Sequence, residues 1–106
     1  MRSIQATELA ELLKQDDADL TLVDVREPWE HQRASIPAAT LIPMGEISNR
    51  LGELEPDRTT IVMCHHGNRS ATVARFLEQH GFRDVVNLDG GIDGWSENVD
   101  PSVPQY

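Results

Sequence analysis

The chain has 106 residues, of which 39% are apolar and 25% are charged. These values are typical of one folded domain and argue against disorder. The apolar runs are far shorter than the ~20 residues that a membrane-spanning helix needs. The 18 acidic and 9 basic side chains give a net charge of −9. We therefore expect neither nucleic acid nor an anionic membrane as a partner, because both bind basic patches.

Short apolar segments alternate with amphipathic segments along the chain. In chain order, we predict a helix over 7–15, a strand over 20–25, a helix over 27–33, a strand over 39–42 and a helix over 45–54. A strand over 59–64, a helix over 70–80, a strand over 84–88 and a short helix around Trp95 follow. Thr7 is the predicted N-cap of the first helix, Pro28 begins the second, and Gly81 ends the helix over 70–80.

This alternation of strands and helices predicts an α/β domain with a mostly parallel central sheet. We place the domain over 1–99, followed by a tail over 100–106. The tail contains two prolines and little apolar content, so we expect it to lie loosely on the surface. The single cysteine, Cys64, rules out an intramolecular disulfide, and a lone thiol favours the reducing cytoplasm.

The segment 64–70, Cys-His-His-Gly-Asn-Arg-Ser, joins a predicted buried strand to an amphipathic helix. Gly67 permits a tight curl whose backbone N–H groups point inward and form an anion-binding nest. The helix N-terminus and the guanidinium of Arg69 add positive charge. All three effects favour the thiolate, so we predict a lowered pKa and a nucleophilic role for Cys64.

The neighbours of Cys64 in this segment have less specific roles. His65 and His66 either carry positive charge beside the sulfur or contact the substrate, and one of them alternatively points to solvent. We expect Asn68 to shape the loop through a left-handed backbone, and Ser70 to begin the helix with its hydroxyl within reach of the sulfur. Cys64, His65 and His66 are zinc-ligand types, but three adjacent residues on a tight curl do not easily point at one tetrahedral centre. We therefore predict no metal.

Asp24 ends the strand that we expect beside the cysteine strand. We predict that it orients Arg69 or ties the loop to the neighbouring strand end. Arg26 is a supporting residue that, with Glu27 and Glu30, belongs to an ion-pair network at the surface. Of the two tryptophans, Trp29 is expected beside the pocket mouth and Trp95 in the core.

Four segments resemble the single-domain rhodaneses, a family of thiosulfate or persulfide sulfurtransferases. They are 22–30 (Leu-Val-Asp-Val-Arg-Glu-Pro-Trp-Glu), Ile36-Pro37, the loop 64–70, and 88–95 (Leu-Asp-Gly-Gly-Ile-Asp-Gly-Trp). The resemblance implies a rhodanese-like fold in which Cys64 takes up sulfane sulfur as a persulfide. It also implies that 65–70 bind a small anionic sulfur donor, that the acceptor is a thiol, cyanide or a protein, and that no cofactor is needed.

Two alternatives remain. Related phosphatases and arsenate reductases of this fold use a seven-residue loop from cysteine to arginine, whereas sulfur-handling members use six. Here the count from Cys64 through Arg69 is six, which favours sulfur. The second alternative is a persulfide carrier or interaction module that presents its sulfur to one partner without turnover.

Overall fold

The computed structural model describes residues 1–15 and 19–106. Its strands are β1 (Arg2–Ile4), β2 (Leu20–Asp24), β3 (Thr40–Leu41), β4 (Thr59–Met63) and β5 (Asp84–Leu88). Its helices are α1 (Ala6–Leu13), α2 (Pro28–Arg33), α3 (Asn68–Gln79) and α4 (Gly91–Asn98), with 3₁₀ segments at Met44–Asn49 and Leu51–Glu53. The strands form one sheet in the order β1-β5-β4-β2-β3, and every pairing is parallel. The predicted α/β class is confirmed.

The sheet is buried on both faces, as parallel sheets usually are. Along β4 and into the residue after it, the side chains alternate: Ile61 and Met63 pack in one core cluster, and Val62 and Cys64 pack in the other. α3 covers the second face against β4 and β5, whereas α1 and α4 pack together on the first. This alternation places the thiol of Cys64 on the side of α3.

Several predicted elements differ from the structure in bounds or type. The helix predicted to begin at Ser70 begins at Asn68 and ends at Gln79. The segment predicted as a helix over 45–54 forms the two 3₁₀ pieces, held by i→i+3 bonds such as Glu46 N–H to Pro43 O at 2.8 Å. Gly45 and Gly52 lower the helix propensity of this segment. The first helix begins at Ala6 rather than after Thr7. The strand β1 was not predicted, because three residues carry too little pattern to recognise.

The tail is packed rather than loose. Val103 is buried, and the hydroxyl of Ser96 donates to its carbonyl at 2.6 Å. Tyr106 lies against the loop that follows β4, as described below. Trp95 lies in the core as expected, whereas Trp29 is 60% exposed. Of the helices that the structure describes, none is long and apolar enough to cross a membrane.

Candidate active site

Cys64 follows β4 directly and begins the loop that leads into α3. Gly67 is the N-cap of α3, with a φ of 111° that side-chain-bearing residues rarely adopt. Its N–H donates to the Cys64 Sγ at 3.1 Å. The left-handed backbone that we expected of Asn68 therefore belongs to Gly67, and Asn68 is an exposed first residue of the helix. The predicted curl and its inward N–H are both present.

The N-terminus of α4 packs directly against the Cys64 loop. Gly91 has a φ of +55°, and a Cβ built there would lie 2.4 Å from the carbonyl oxygens of both Cys64 and His65. The next two N–H groups bond those same carbonyls, Ile92 to Cys64 at 2.9 Å and Asp93 to His65 at 3.3 Å. Only glycine allows this approach, so the second glycine of the Gly-Gly pair fixes the loop.

The thiol of Cys64 is 1% exposed. This burial raises the pKa of the thiol, but hydrogen bonds from the Ser70 hydroxyl and from the N–H groups of Ser70, Gly67 and His66 outweigh it. The pKa of Cys64 is therefore lowered, in the predicted direction. The main stabilising groups are the loop's own donors, and the charge of Arg69 also interacts with Cys64.

Ser70 links Cys64 to a residue that sequence reasoning missed. Its Oγ lies 3.3 Å from the Cys64 Sγ and 2.5 Å from the Asn87 Oδ1. The Asn87 amide in turn donates to the Gly67 carbonyl at 3.3 Å. The single proton of the Ser70 hydroxyl serves one acceptor at a time, so Asn87 and the sulfur compete for it. The sequence signal for Asn87 is a polar residue within the otherwise apolar end of β5.

Removing the Ser70 hydroxyl is expected to raise the pKa of Cys64, because the thiolate loses a charge-assisted donor. In Ser70→Ala, iodoacetamide alkylation should reach its midpoint at a higher pH than in the wild type. At neutral pH we expect roughly tenfold slower alkylation, the rate equivalent of losing one hydrogen bond to a charged group. Ser48→Ala, outside the loop, is the control and should leave the profile unchanged. An identical midpoint in Ser70→Ala would contradict this role.

The side-chain hydrogen bonds of Arg69 go to Glu30 rather than to the thiol. Its guanidinium donates to both oxygens of Glu30, at 2.7 and 2.9 Å. These bonds lower the pKa of Glu30 to about 2, against the opposing effect of its burial. Glu30 is buried, so its predicted place in a surface ion-pair network is wrong. Of the two roles expected for Asp24, the orientation of Arg69 is wrong, since Glu30 on α2 holds that guanidinium.

Asp24 instead pairs with Arg26, and both side chains are fully buried. The Arg26 guanidinium donates to Asp24 at 2.9 and 2.8 Å and to the Ala34 carbonyl at 2.6 Å. His31 Nδ1 lies 2.9 Å from Asp24 Oδ2, an oxygen that also accepts from the Arg26 guanidinium. The predicted surface position of Arg26 is therefore wrong. This pair supports the site by fixing the segment that carries Glu30.

Tyr106, in the C-terminal tail, contacts Glu30, Arg26 and His65 beside the site. Its hydroxyl donates to Glu30 at 2.6 Å and accepts from Arg26 at 2.9 Å. Its ring stacks on His65, with centroids 4.0 Å apart, and His65 stacks on His66 at 3.9 Å. Burial and the bond to Glu30 raise the pKa of Tyr106 to about 12. The hydroxyl therefore remains a donor at neutral pH.

The two histidines differ in exposure: the His66 side chain is 61% exposed and that of His65 17%. Both direct Nε2 toward Asp93 on α4, at 2.7 Å from His66 and 3.3 Å from His65. The structure thus brings the Gly67 N–H and the Ser70 hydroxyl to the Cys64 sulfur. It places His65 and His66 beside them, Arg69 on Glu30, and Asn68 at the surface.

A buried cysteine lies at the end of a central parallel strand, inside a loop of inward N–H donors, an arrangement suited to a sulfur nucleophile or a bound anion. Residues 5–98 match the rhodanese-like domain family. The chain belongs to this family, as the sequence motifs predicted. A crystal structure of a rhodanese-like domain protein from Staphylococcus aureus superposes with a TM-score of 0.83, at 37% identity over 90% of this chain and 91% of that one.

Two curated relatives carry functional names. The thiosulfate sulfurtransferase GlpE of Pseudoalteromonas translucida is 33% identical over 94 residues, 89% of this chain and 88% of that protein. The putative sulfur carrier protein YrkF of Bacillus subtilis is 38% identical over 80 residues, 76% of this chain and 43% of that protein. The chain spans less than half the length of some curated relatives, the Bacillus protein among them.

Proposed function

We propose that this chain is a sulfurtransferase that moves sulfane sulfur through a persulfide on Cys64. The observation that carries the proposal is the Cys64 Sγ itself, held 3.1 Å from the Gly67 N–H and 3.3 Å from the Ser70 hydroxyl. These donors stabilise a sulfur anion inside a closed loop. The name of the GlpE relative supports thiosulfate as the donor to test first. A lone nucleophilic thiol also fits a reducing compartment such as the cytoplasm.

In the first step, the Cys64 thiolate attacks the outer sulfur of thiosulfate. The S–S bond of thiosulfate breaks, sulfite leaves with the bonding pair, and the enzyme keeps a persulfide anion. Charge is conserved, so no proton transfer and no external oxidant are required. The loop N–H groups and the Ser70 hydroxyl hold the negative charge as it moves to the outer sulfur atom.

In the second step, cyanide or a thiolate attacks the outer persulfide sulfur. With cyanide the product is thiocyanate, and the Cys64 thiolate is released for another cycle. The two half-reactions share one covalent intermediate, so the kinetics should be ping-pong. Asp24 and Arg26 take no part in either step, because their side chains are buried and satisfied by each other.

A persulfide carrier is the second candidate, and the name of the YrkF relative supports it. A carrier and an enzyme both form the persulfide, but only the enzyme turns over with small acceptors. The test is steady-state thiocyanate formation from thiosulfate and cyanide, repeated with glutathione and dithiothreitol as acceptors. Many turnovers per chain support the enzyme. A single stoichiometric transfer would replace it with the carrier.

Aryl phosphates should not be substrates. The six-residue span from Cys64 to Arg69 closes its N–H groups around one sulfur atom, and a phosphoryl group needs room for several oxygens. In addition, Arg69 is engaged by Glu30 through two hydrogen bonds. We expect hydrolysis of p-nitrophenyl phosphate at the level of a buffer blank, under conditions where sulfur uptake is complete. Robust hydrolysis that disappears in Cys64→Ser would favour the phosphatase alternative.

A further inference from the structure

A second chemical cluster lies beside the cysteine loop. His65, His66 and Asp93 each offer one ligand atom, and these atoms all lie within 4.8 Å of one another. Two of the polar atoms are anomalous: His65 Nε2 and Asp93 Oδ1 are buried and make no hydrogen bond to any residue that the structure describes. They face each other across 3.3 Å. Buried polar atoms without a partner are costly, and a cation between these two atoms would satisfy both of them.

The spacing suits a divalent metal. Two ligand atoms that each lie ~2.0–2.1 Å from a tetrahedral zinc ion are about 3.3 Å apart, which is the separation of His65 Nε2 and Asp93 Oδ1. The third separation, from His66 Nε2 to Asp93 Oδ2, is shorter at 2.7 Å. His66 is mostly exposed, so its ring has space to move back by the required fraction of an ångström.

The backbone holds the ligands in place before a metal arrives. The Asp93 N–H donates to the carbonyl of His65 at 3.3 Å, and the Ile92 N–H donates to the carbonyl of Cys64 at 2.9 Å. The His65 ring is stacked between those of His66 and Tyr106. Because ligands on two separate segments are already brought together, little ordering remains when the ion binds.

We propose that His65, His66 and Asp93 form a site for a borderline divalent transition metal such as Zn²⁺, with the remaining position open to water. Two imidazoles and a carboxylate suit zinc, nickel or copper better than magnesium, which prefers oxygen ligands. With neutral imidazoles, the cluster carries one negative charge within a chain of net charge −9, so the long-range field also favours a cation. This ligand set differs from Cys64, His65 and His66, the three adjacent residues considered in the sequence analysis, because Asp93 takes the place of Cys64.

The test is a Zn²⁺ titration of the full chain, followed by isothermal calorimetry and repeated in Cys64→Ser to exclude the thiolate as a ligand. We expect one equivalent to bind both proteins with similar affinity, and a large excess of Mg²⁺ to leave binding unchanged. His66→Ala and Asp93→Asn should each weaken binding about tenfold or more. His80→Ala removes a histidine at the end of α3, where His80 Nδ1 contacts the carbonyl of Phe76, and should bind Zn²⁺ like the wild type.

Absence of Zn²⁺ binding to the wild type would overturn the proposal. So would equal affinity in His66→Ala and the wild type, or loss of binding in Cys64→Ser alone. Circular dichroism checks that Asp93→Asn is folded; if it is not, His66→Ala decides, because that side chain is mostly exposed. None of these readouts uses sulfur transfer, so a failure here leaves the sulfurtransferase proposal untouched.

Discussion

Replacing Cys64 with serine should reduce thiocyanate formation by more than roughly a thousandfold, the scale of loss seen when an enzyme loses its nucleophile. The chain contains one cysteine, so no second thiol can substitute. A serine hydroxyl remains protonated at neutral pH and cannot carry sulfane sulfur as a persulfide. The measurement is the initial rate of thiocyanate formation with saturating thiosulfate and cyanide.

The fold should survive this substitution. Cys64→Ser buries a hydroxyl in place of a thiol, at a cost of about 1–3 kcal/mol, and Ser70 stays within reach as a hydrogen-bond partner. Circular dichroism and a denaturant titration provide the control. Ser70→Ala is the graded comparison, because it keeps the nucleophile and should retain measurable transfer. Residual activity of a folded Cys64→Ser protein near that of the wild type would place the chemistry elsewhere.

Arg26→Met should destabilise the domain by about 3–5 kcal/mol, the cost of breaking a buried ion pair by removing one partner. After the substitution the Asp24 carboxylate remains buried. Its remaining partners are the backbone N–H of residue 26 and the His31 ring. The carbonyl of Ala34, which accepts from the guanidinium at 2.6 Å, loses that donor. Urea unfolding followed by tryptophan fluorescence gives the free energy of unfolding.

Arg50→Met is the matched control for this prediction. Arg50 also bonds two carboxylates, those of Glu46 and Glu53, but it lies at the protein surface, where water replaces lost partners. We expect its unfolding midpoint to stay close to that of the wild type. If Arg26→Met were no less stable than Arg50→Met, the buried pair would not hold this part of the fold together.

The sheet was predictable because its central strands are buried on both faces. β4 and β5 consequently appear as short β-branched and aliphatic runs in the sequence, and each predicted central strand matches within one residue. α3 was predicted from its amphipathic pattern and from the glycine that follows it. The 3₁₀ segments were not predicted, because Ile47 and Leu51 repeat at α-helical spacing while the backbone takes a tighter turn.

The site was predictable only where it is local in sequence. The Cys64 loop carries its own donors, so its curl and inward N–H groups were predictable from residues 64–70, whereas the contacts from Gly91 and Asn87 that hold the loop were not. The partners of its charged residues come from elsewhere: Glu30 from α2 holds Arg69, and Tyr106 from the tail bonds both Glu30 and Arg26. A sequence pattern shows that a side chain is charged but not that tertiary contacts bury it. Such contacts override the usual expectation that arginine and glutamate lie at the surface.

The central claim is that Cys64 itself carries the transferred sulfur, and intact-protein mass spectrometry tests it most directly. The wild type is incubated with thiosulfate, desalted, and measured before and after addition of cyanide. We predict a gain of one sulfur atom per chain that cyanide removes completely, with no gain in Cys64→Ser. A wild-type mass that does not change with thiosulfate or with a low-molecular-weight persulfide donor would contradict the claim, as would an equal gain in Cys64→Ser.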